Sequence, residues 1–325
     1  MAVAGPLPAL YARWMNTLLG VPIPAERTAT CGDCAMVTRE GSIEPGFNPN
    51  TKCCTYLPEL WNFLAGAVLL DSTDGDRGRA SVLARIAGRE GVRPVGLRQG
   101  DDYWTRYAES PPPKFGTDMM LLCPHYIAEG GGLCGIWQHR ESTCTTWFCK
   151  HDRGKIGQDF WEQLRRVLYT CENALAHWSL RELGVTGDDW GAWQGQEAQF
   201  YMECSRLVTP LSWDHVSRIA GDALPVHVSA LSRAFDLLRN EAIPLRPMTE
   251  LVQISPRASG RVKLATYSTN DALDVPEIVA SILPFFDGRP TAEALADIER
   301  STGARVDPSL VRRLTDFGVL REIAT

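Results

Sequence analysis

Four cysteines lie within 27 consecutive residues in the middle of the chain, which reads CPHYIAEGGGLCGIWQHRESTCTTWFC from Cys123 to Cys149. Between these two ends lie Cys134 and Cys144, separated by glycines and short polar spacers. Such spacing is typical of metal ligands, because a metal site needs several thiols from a compact stretch of chain. The segment therefore predicts an irregular loop that holds a metal.

A second group of cysteines precedes this segment. Cys31 and Cys34 form a CxxC step, which lets two sulfurs reach one metal from a single tight turn. Cys53 and Cys54 are adjacent, and in an extended segment such side chains point in opposite directions. One thiol can then serve each of two sites, or one can lie outside the ligand set. The eight thiols allow two sites, one bridged site, or one site with spare thiols.

The remaining two of the ten cysteines are predicted core residues. Cys171 falls on the apolar stripe of a long helix predicted over residues 156–183, and Cys204 on that of a helix over residues 197–208. A buried thiol on such a stripe behaves as a small apolar side chain. We therefore exclude both from the candidate ligands.

Composition indicates a soluble chain of 325 residues, with 44% hydrophobic and 22% charged residues and a net charge of −6. The N-terminus lacks the basic start and apolar run of a secretory signal. The most apolar stretch, residues 64–70, is shorter than the roughly 20 residues that span a membrane. We expect a cytoplasmic protein, in which clustered thiols are metal ligands or redox groups rather than disulfides.

The expected fold is mainly α-helical with irregular cysteine-rich metal-binding loops over residues 1–221, followed by a small α+β winged-helix-like domain over residues 222–325. A first helix is predicted over residues 8–19. A second begins at about Pro58 and has Leu60 and Trp61 on its buried face. A third covers residues 76–90, with Val82, Leu83 and Ile86 pointing inward. The C-terminal part predicts two strands joined by a hairpin turn and then three helices. The first of these helices begins at a capping box formed by Asp274 and Glu277, the second at Thr291, and the third at Asp307-Pro308. A closing strand starts at Val319.

Four residues beside the cysteines are candidate catalytic groups: His125, His139, Arg140 and His151. A histidine there can be a ligand, a proton donor or an N–H···S donor, or else an ordinary loop residue. Arg140 can offset the negative charge of a thiolate cluster. Gly130-Gly131-Gly132 predicts a flexible spacer rather than a phosphate-binding loop, because no lysine or helix start follows it.

The order CxxC, CC and then CP…C-x-I-W-x-x-R-x-x-x-C-x-x-W-F-C resembles the YkgJ-type cysteine-cluster family of zinc- or iron-chelating domains. Its second half is matched here by Cys123-Pro124, Cys134, Ile136-Trp137, Arg140, Cys144 and Trp147-Phe148-Cys149. The resemblance covers residues 31–150. The chain departs from the family in one respect, because 18 residues separate Cys34 from Cys53. Whether the first four cysteines share one site therefore stays open.

The resemblance implies metal binding, with zinc and iron–sulfur both open. Some members of the family are related to flagellin lysine methylases. This relationship implies that an iron–sulfur cluster and catalysis are both possible within the family. We favour one or two [4Fe–4S] clusters over zinc, because all candidate ligands are sulfur whereas zinc sites often include histidine. Trp137, Trp147 and Phe148 are also expected to give a cluster a dry aromatic shell.

The C-terminal segment resembles PqqD-like winged-helix domains, including the peptide-recognition elements of enzymes that modify ribosomally made peptides. The matching residues are Asp287-Gly288-Arg289-Pro290-Thr291 and the run from Leu314 to Leu320. DNA binding is the competing interpretation, but residues 244–325 hold ten Arg or Lys against eleven Asp or Glu. DNA-binding domains are usually clearly basic. A docked peptide or protein is therefore the expected partner.

The sequence thus predicts an iron–sulfur protein, either an enzyme or its accessory, that acts on a peptide or protein docked by the C-terminal domain. Methyl transfer and redox chemistry are both compatible with this interpretation. The alternatives are a zinc-stapled interaction protein without catalysis and a metal- or redox-sensing regulator.

Overall fold

The structure is a computed structural model that describes residues 7–27, 31–37, 46–72, 76–109 and 115–323. Within these ranges the chain is mainly α-helical with small sheets. Its helices are α1 Ala9–Leu19, α2 Asn62–Leu70, α3 Asp76–Ala87, α4 Asp101–Ala108, α5 Ser142–Thr146, α6 Gly154–Glu182, α7 Glu197–Val208, α8 Trp213–Ala220, α9 Leu224–Arg239, α10 Glu277–Ile282, α11 Thr291–Thr302 and α12 Pro308–Asp316. Among these described helices, none is long and apolar enough to span a membrane.

The described strands are short, and all of them pair in antiparallel fashion. They are β1 Leu60–Trp61, β2 Val92–Arg93, β3 Gly96–Leu97, β4 Tyr126–Ile127, β5 Leu133–Cys134, β6 Pro247–Thr249, β7 Gln253–Arg257, β8 Arg261–Ala265, β9 Leu273–Pro276 and β10 Leu320–Glu322. They form four small sheets with the orders β1-β3-β2, β4-β5, β10-β6 and β7-β8-β9.

The chain packs as two compact units. Unit 1 comprises Met1–Ala25, Thr30–Trp147 and Leu164–Ser229, and unit 2 comprises Glu26–Ala29, Phe148–Gln163 and Ala230–Thr325. Both units are assembled from separate stretches of sequence, and α6 contributes residues to each. The predicted division at residue 221 stays a prediction.

In unit 1, α2 lies in the core. Its sequence NFLAGAVLL is almost wholly apolar, and seven of its nine residues are buried, so neighbouring elements must cover it on several sides. Gly66 allows α7 to approach closely, because a Cβ at this position would lie 1.8 Å from the carbonyl oxygen of Tyr201. Ring packing continues around α7, where Trp190 meets Phe200 edge-on at 5.4 Å between centroids.

In unit 2, a core of Val, Leu, Ile and Phe side chains lies between the β7-β8-β9 sheet and the helices α10 to α12. The start of α12 is fixed by Asp307, whose carboxylate accepts a hydrogen bond from the backbone N–H of Ser309 at 2.8 Å. α11 ends at Thr302 and is capped by Gly303, whose φ of +71° is the left-handed conformation that glycine adopts without strain.

Most of the predicted helices are confirmed, including α1, the long α6, and the starts of α11 and α12. Cys171 and Cys204 are fully buried, as predicted. The extent of the C-terminal sheets was not anticipated, because β6 and β9 are absent from the predicted set.

Three local predictions are wrong. Leu60 and Trp61 form β1 and pair with β3, because a short apolar run suits a buried strand as well as a helix. Leu83 is 41% exposed, and Arg85 takes the inward position on α3. Asp274 lies in β9, where its carboxylate pairs with Arg261 and does not cap α10.

Candidate metal centre

All ten cysteines lie within the described ranges, and none of them is in a disulfide there. The eight candidate ligands are each partly buried. Seven belong to unit 1, whereas Cys149 belongs to unit 2. The candidate centre of unit 1 thus has seven thiols.

Five thiols of unit 1 share one neighbourhood. The thiol of Cys53 interacts electrostatically with those of Cys31, Cys123, Cys134 and Cys144. Burial raises the pKa of each of these four thiols, that of Cys123 to about 12, and the neighbouring thiols raise them further. The sequence suggested two groups of four, but the fold mixes members of both groups.

Cys53 and Cys54 lie in a turn rather than in an extended segment. The preceding residue, Lys52, has a φ of +50°, and the two thiols form a side-chain hydrogen bond that raises the pKa of Cys53. The expectation that the two side chains point in opposite directions is therefore wrong. The carbonyl oxygen of Cys54 also accepts a hydrogen bond from the N–H of Cys123 at 2.8 Å, which joins the two cysteine groups through the backbone.

The ammonium of Lys52 holds three backbone carbonyls together. Its Nζ donates to the carbonyl oxygens of Cys31 at 2.5 Å, Gly131 at 2.5 Å and Gly132 at 2.9 Å. Lys52 itself is buried, and both glycines have positive φ. The glycine run therefore presents its carbonyls to a lysine that lies next to Cys53. Lys52 links the CxxC turn to the loop that leads into Cys134.

Arg140 lies among the thiols. Its guanidinium interacts electrostatically with Cys31, Cys53, Cys134 and Cys144, and burial lowers its pKa. The guanidinium stacks on the ring of Trp137 at 3.3 Å and donates to the carbonyl oxygen of Cys144 at 3.0 Å. This is the placement that charge compensation of a thiolate cluster requires, although the role itself stays a prediction.

A second buried arginine, Arg85, interacts electrostatically with Cys123. Its Nη2 donates to the carbonyl oxygen of Arg98 at 2.5 Å, whereas Nη1 is buried without a hydrogen-bond partner among the described residues. Arg85 comes from α3 and was not singled out by the sequence, because hydrophobic periodicity does not reveal a buried charge. Three buried cations, Lys52, Arg85 and Arg140, thus neighbour the thiols.

Two buried carboxyls position the helix that carries Cys144. Glu141 caps α5, because its side chain accepts the backbone N–H groups of Thr143 and Cys144, each at 2.5 Å. Glu172, on α6, accepts the N–H of Ser142 at 2.6 Å and its hydroxyl at 2.5 Å. Burial, together with the charge of Glu141, raises the pKa of Glu172 to about 8.

The three candidate histidines have different surroundings. In unit 1, His125 is buried beside Ser81, and its backbone N–H donates to the thiol of Cys123. His139, also in unit 1, lies 2.8 Å from the Asp71 carboxylate. His151 belongs to unit 2, where its Nδ1 lies 3.5 Å from Asp271. In unit 1, the backbone of His125 thus supplies an N–H···S hydrogen bond to Cys123.

The expected aromatic shell is only partly present. Trp147 is 54% exposed and packs edge-on against Phe115, so it does not keep water from the thiols. Phe148 belongs to unit 2, where it packs on Trp161 at 4.6 Å between centroids. Trp137 remains as the support for Arg140.

The thiols are suitable donors for a thiolate-bound metal, but their side chains are not arranged around a common metal position among the described residues. Within the residues that the structure describes, no three Cys, His, Asp or Glu side chains are arranged to hold a metal ion. The donors are nevertheless all sulfur, and the buried cations beside them can compensate thiolate charge. A metal would have to draw the thiols closer together as it binds.

A pocket of about 360 Å³ opens beside the CxxC turn in unit 1. Cys34, Asp33 and Asn50 line it, together with Lys52 and Tyr126. Cys34 thus lines a pocket at the surface of unit 1.

No family model, curated protein or solved structure matches this chain.

Proposed function

We propose that the chain is an iron–sulfur protein that modifies a peptide or protein, or assists an enzyme that does so. The observation that carries the proposal is the shared neighbourhood of five thiols, drawn from both cysteine groups, of which four also neighbour the guanidinium of Arg140. Thiols with raised pKa values lose their protons only when a metal takes them up, so metal loading and proton release are coupled. The resemblance to YkgJ-type domains supports the same assignment.

The residues that would hold the cluster in unit 1 are Cys31, Cys53, Cys123, Cys134 and Cys144, with Cys34 and Cys54 next to them in the sequence. Bound there, an iron–sulfur cluster supplies electron transfer or a Lewis-acidic iron. Arg140 and Lys52 stabilise the thiolate form by charge and by fixing the loops. Zinc is the alternative, and the exposure of Trp147 removes one argument for iron, so the all-sulfur donor set carries the preference.

We further propose that the C-terminal part of unit 2 is a winged-helix-like, PqqD-like domain that docks a peptide. Its outer strand β7 bears Ile254, which is 48% exposed, and Leu251 just before it is 95% exposed. An exposed edge with apolar side chains suits strand addition by a peptide.

Nucleic acid is a weaker partner for this domain. The basic pair of α12 is engaged internally, because Arg312 pairs with Asp316 at 2.6 Å and Arg313 lies over the ring of Phe317 at 5.2 Å. A DNA-binding helix needs such side chains free to reach phosphates. A cytoplasmic location completes the proposal, because reduced thiols are needed for metal binding.

The test is the iron, zinc and acid-labile sulfide content of the full chain purified without oxygen, together with its visible spectrum. We expect about four irons and four sulfides per chain for one [4Fe–4S] cluster, or about twice that for two. Cys53→Ala should lose the cluster, whereas Cys171→Ala, which alters a core thiol, should keep it. Zinc alone, with a colourless anaerobic protein, would contradict the iron–sulfur proposal and leave a zinc-stapled interaction protein.

A further inference from the structure

Three aromatic rings of unit 1 lie close together at the surface beside α4. The ring centroids of Tyr56 and Trp104 are 6.0 Å apart, those of Tyr56 and Tyr107 are 6.0 Å apart, and those of Trp104 and Tyr107 are 5.7 Å apart. The ring planes are steeply inclined in every pair, at 67°, 75° and 74°. Trp104 is 44% exposed and both tyrosines are only half-buried, so solvent reaches the group.

A fourth ring, that of Tyr103, holds this group in place. It stacks on Tyr107 with 27° between the ring planes and 5.9 Å between the centroids. Its hydroxyl accepts a hydrogen bond from the N–H of Leu57 at 2.7 Å and donates to the carbonyl oxygen of Thr55 at 2.9 Å. α4 is thereby tied to the backbone on both sides of Tyr56, so little side-chain ordering is left to oppose the binding of a ligand.

The angles between the rings restrict what they can bind. A flat ligand such as a nucleobase stacks on an aromatic face, and its plane can match at most one of three steeply inclined rings. A cation is attracted to the face of any ring whose centroid lies within about 6 Å. Because no two centroids are more than 6.0 Å apart, one rounded cation fits within this distance of all three. A trimethylammonium group has this shape and, unlike the strongly hydrated ammonium of lysine, has no N–H groups to desolvate.

Charge at this surface also favours a cation. In α4 and the residue directly after it, acidic residues outnumber basic ones: Asp101, Asp102 and Glu109 against Arg106. Near Tyr56, the carboxyl of Glu141 acts electrostatically more strongly than the guanidinium of Arg165. An excess of negative charge of this kind attracts a positively charged group.

We propose that Tyr56, Trp104 and Tyr107 form an aromatic cage for a trimethylated lysine side chain of a protein partner. A small free ligand is usually enclosed by its pocket over most of its surface, whereas this cage is open at Trp104. Met119 and Met120 lie in a short turn that packs next to α4, and they are 49% and 71% exposed, so they offer apolar contact to the chain that carries the lysine. The cage contains no thiol, so the inference goes beyond the proposed metal chemistry and holds whichever metal is bound.

The test follows the indole N–H signal of Trp104 by NMR in the full chain, as purified, with ¹⁵N-labelled tryptophan. The chain has ten tryptophans, and a Trp104→Phe spectrum identifies this signal. The probes are three end-blocked peptides, Ala-Ala-X-Ala-Ala, in which X is trimethyllysine, lysine, or the neutral analogue that carries a tert-butyl group in place of the trimethylammonium. We expect the trimethyllysine peptide to shift the signal to saturation, and both other peptides to bind about tenfold more weakly.

Two outcomes of these titrations would overturn the inference. Equal affinity of the neutral analogue would mean that the rings bind apolar groups and not a cation. A fourth titration uses choline, which carries the same trimethylammonium group as a free small molecule. It should bind more weakly than the trimethyllysine peptide, and tighter binding of choline would assign the site to a free cation instead.

Substitutions test the contribution of the rings. Tyr56→Leu and Tyr107→Leu keep an apolar side chain but remove a ring face, and each should weaken binding of the trimethyllysine peptide about threefold to tenfold. Tyr169→Leu removes an exposed ring of α6 outside the cage and should leave the affinity unchanged. The dispersion of the other indole signals checks that each variant is folded. Wild-type affinity in both cage variants would contradict the proposal, and the iron and sulfide content is measured separately, so failure of one proposal is distinguishable from failure of the other.

Discussion

At the scale of single residues, Lys52 is the side chain that most directly joins the cysteine loops. Its ammonium has three backbone carbonyl partners from two separate loops, and hydrogen bonds to a charged donor each contribute about 1.5–3 kcal/mol. The contributions are not additive, because the carbonyls regain water when the ammonium is removed.

We expect Lys52→Met to lower the free energy of unfolding by roughly 2–4 kcal/mol, measured by urea denaturation of the reduced, metal-free chain. It should also speed the transfer of metal from the loaded chain to a chelator, because the loops that bear Cys31 and Cys134 lose their common partner. Lys52→Arg keeps the charge and should have a smaller effect.

Lys155 provides the control for this prediction. It forms an exposed ion pair with Asp159 on α6, and such pairs contribute only about 0.3–0.5 kcal/mol. Lys155→Met should therefore be close to wild type in both measurements. If Lys52→Met behaved like Lys155→Met, the carbonyl contacts would be incidental to the stability of the loops.

The sequence predicts the ligand type of the centre better than its surroundings. Eight cysteines in order identify thiol chemistry, and the arginine of the motif does lie among the thiols. Arg85 and Glu172 come from positions with no signal of their own, because a buried charge depends on partners distant in sequence. Lys52 has a local signal only in that it directly precedes Cys53.

At the scale of elements, the packing of α2 against α7 depends on one glycine. A Cβ at Gly66 would lie 1.8 Å from the carbonyl oxygen of Tyr201, so the two helices would have to move apart. We expect Gly66→Ala to lower the free energy of unfolding by about 3 kcal/mol or more, despite the better helix propensity of alanine. The measurement is urea unfolding followed by circular dichroism.

Gly100→Ala is the matched substitution, since a Cβ there would meet no atom within 4 Å and its φ of −67° suits alanine. This substitution should lower the free energy of unfolding by less than about 1 kcal/mol. Equal decreases in the free energy of unfolding for the two variants would show that α2 and α7 can adjust their separation.

Helices with a clear hydrophobic periodicity could be predicted from the sequence. Strands that depend on pairing with residues distant in sequence could not. α6 carries an apolar side chain every three or four residues, which fixes its face without any tertiary information. Leu60 and Trp61 belong to an apolar run that reads equally well as helix, and only pairing with β3 makes them a strand. β6 exists because it pairs with β10, more than seventy residues away.

At the scale of the whole molecule, the buried carboxyl pair makes stability depend on pH. The pKa of Glu172 is raised to about 8 in the folded chain from 4.5, so the folded state holds a proton that the unfolded state loses between these values. The stabilisation from this group is complete below pH 4.5 and falls as the pH rises towards 8. The slope is at most roughly 1.4 kcal/mol per pH unit for one proton.

Glu172→Gln should make the free energy of unfolding depend less on pH. Its curve of unfolding free energy against pH should therefore cross the curve of the wild-type chain. At low pH the variant should be less stable by roughly 1–3 kcal/mol, because the amide turns an N–H₂ group towards donors such as Trp61 Nε1. As the pH rises towards 8 the deficit should shrink, because glutamine carries no charge to bury, while the raised pKa of Glu141 leaves a residual slope. Urea denaturation across this pH range measures both curves. The exposed Glu241→Gln should run parallel to wild type, and a Glu172→Gln curve that also stayed parallel would assign the pH dependence to other groups.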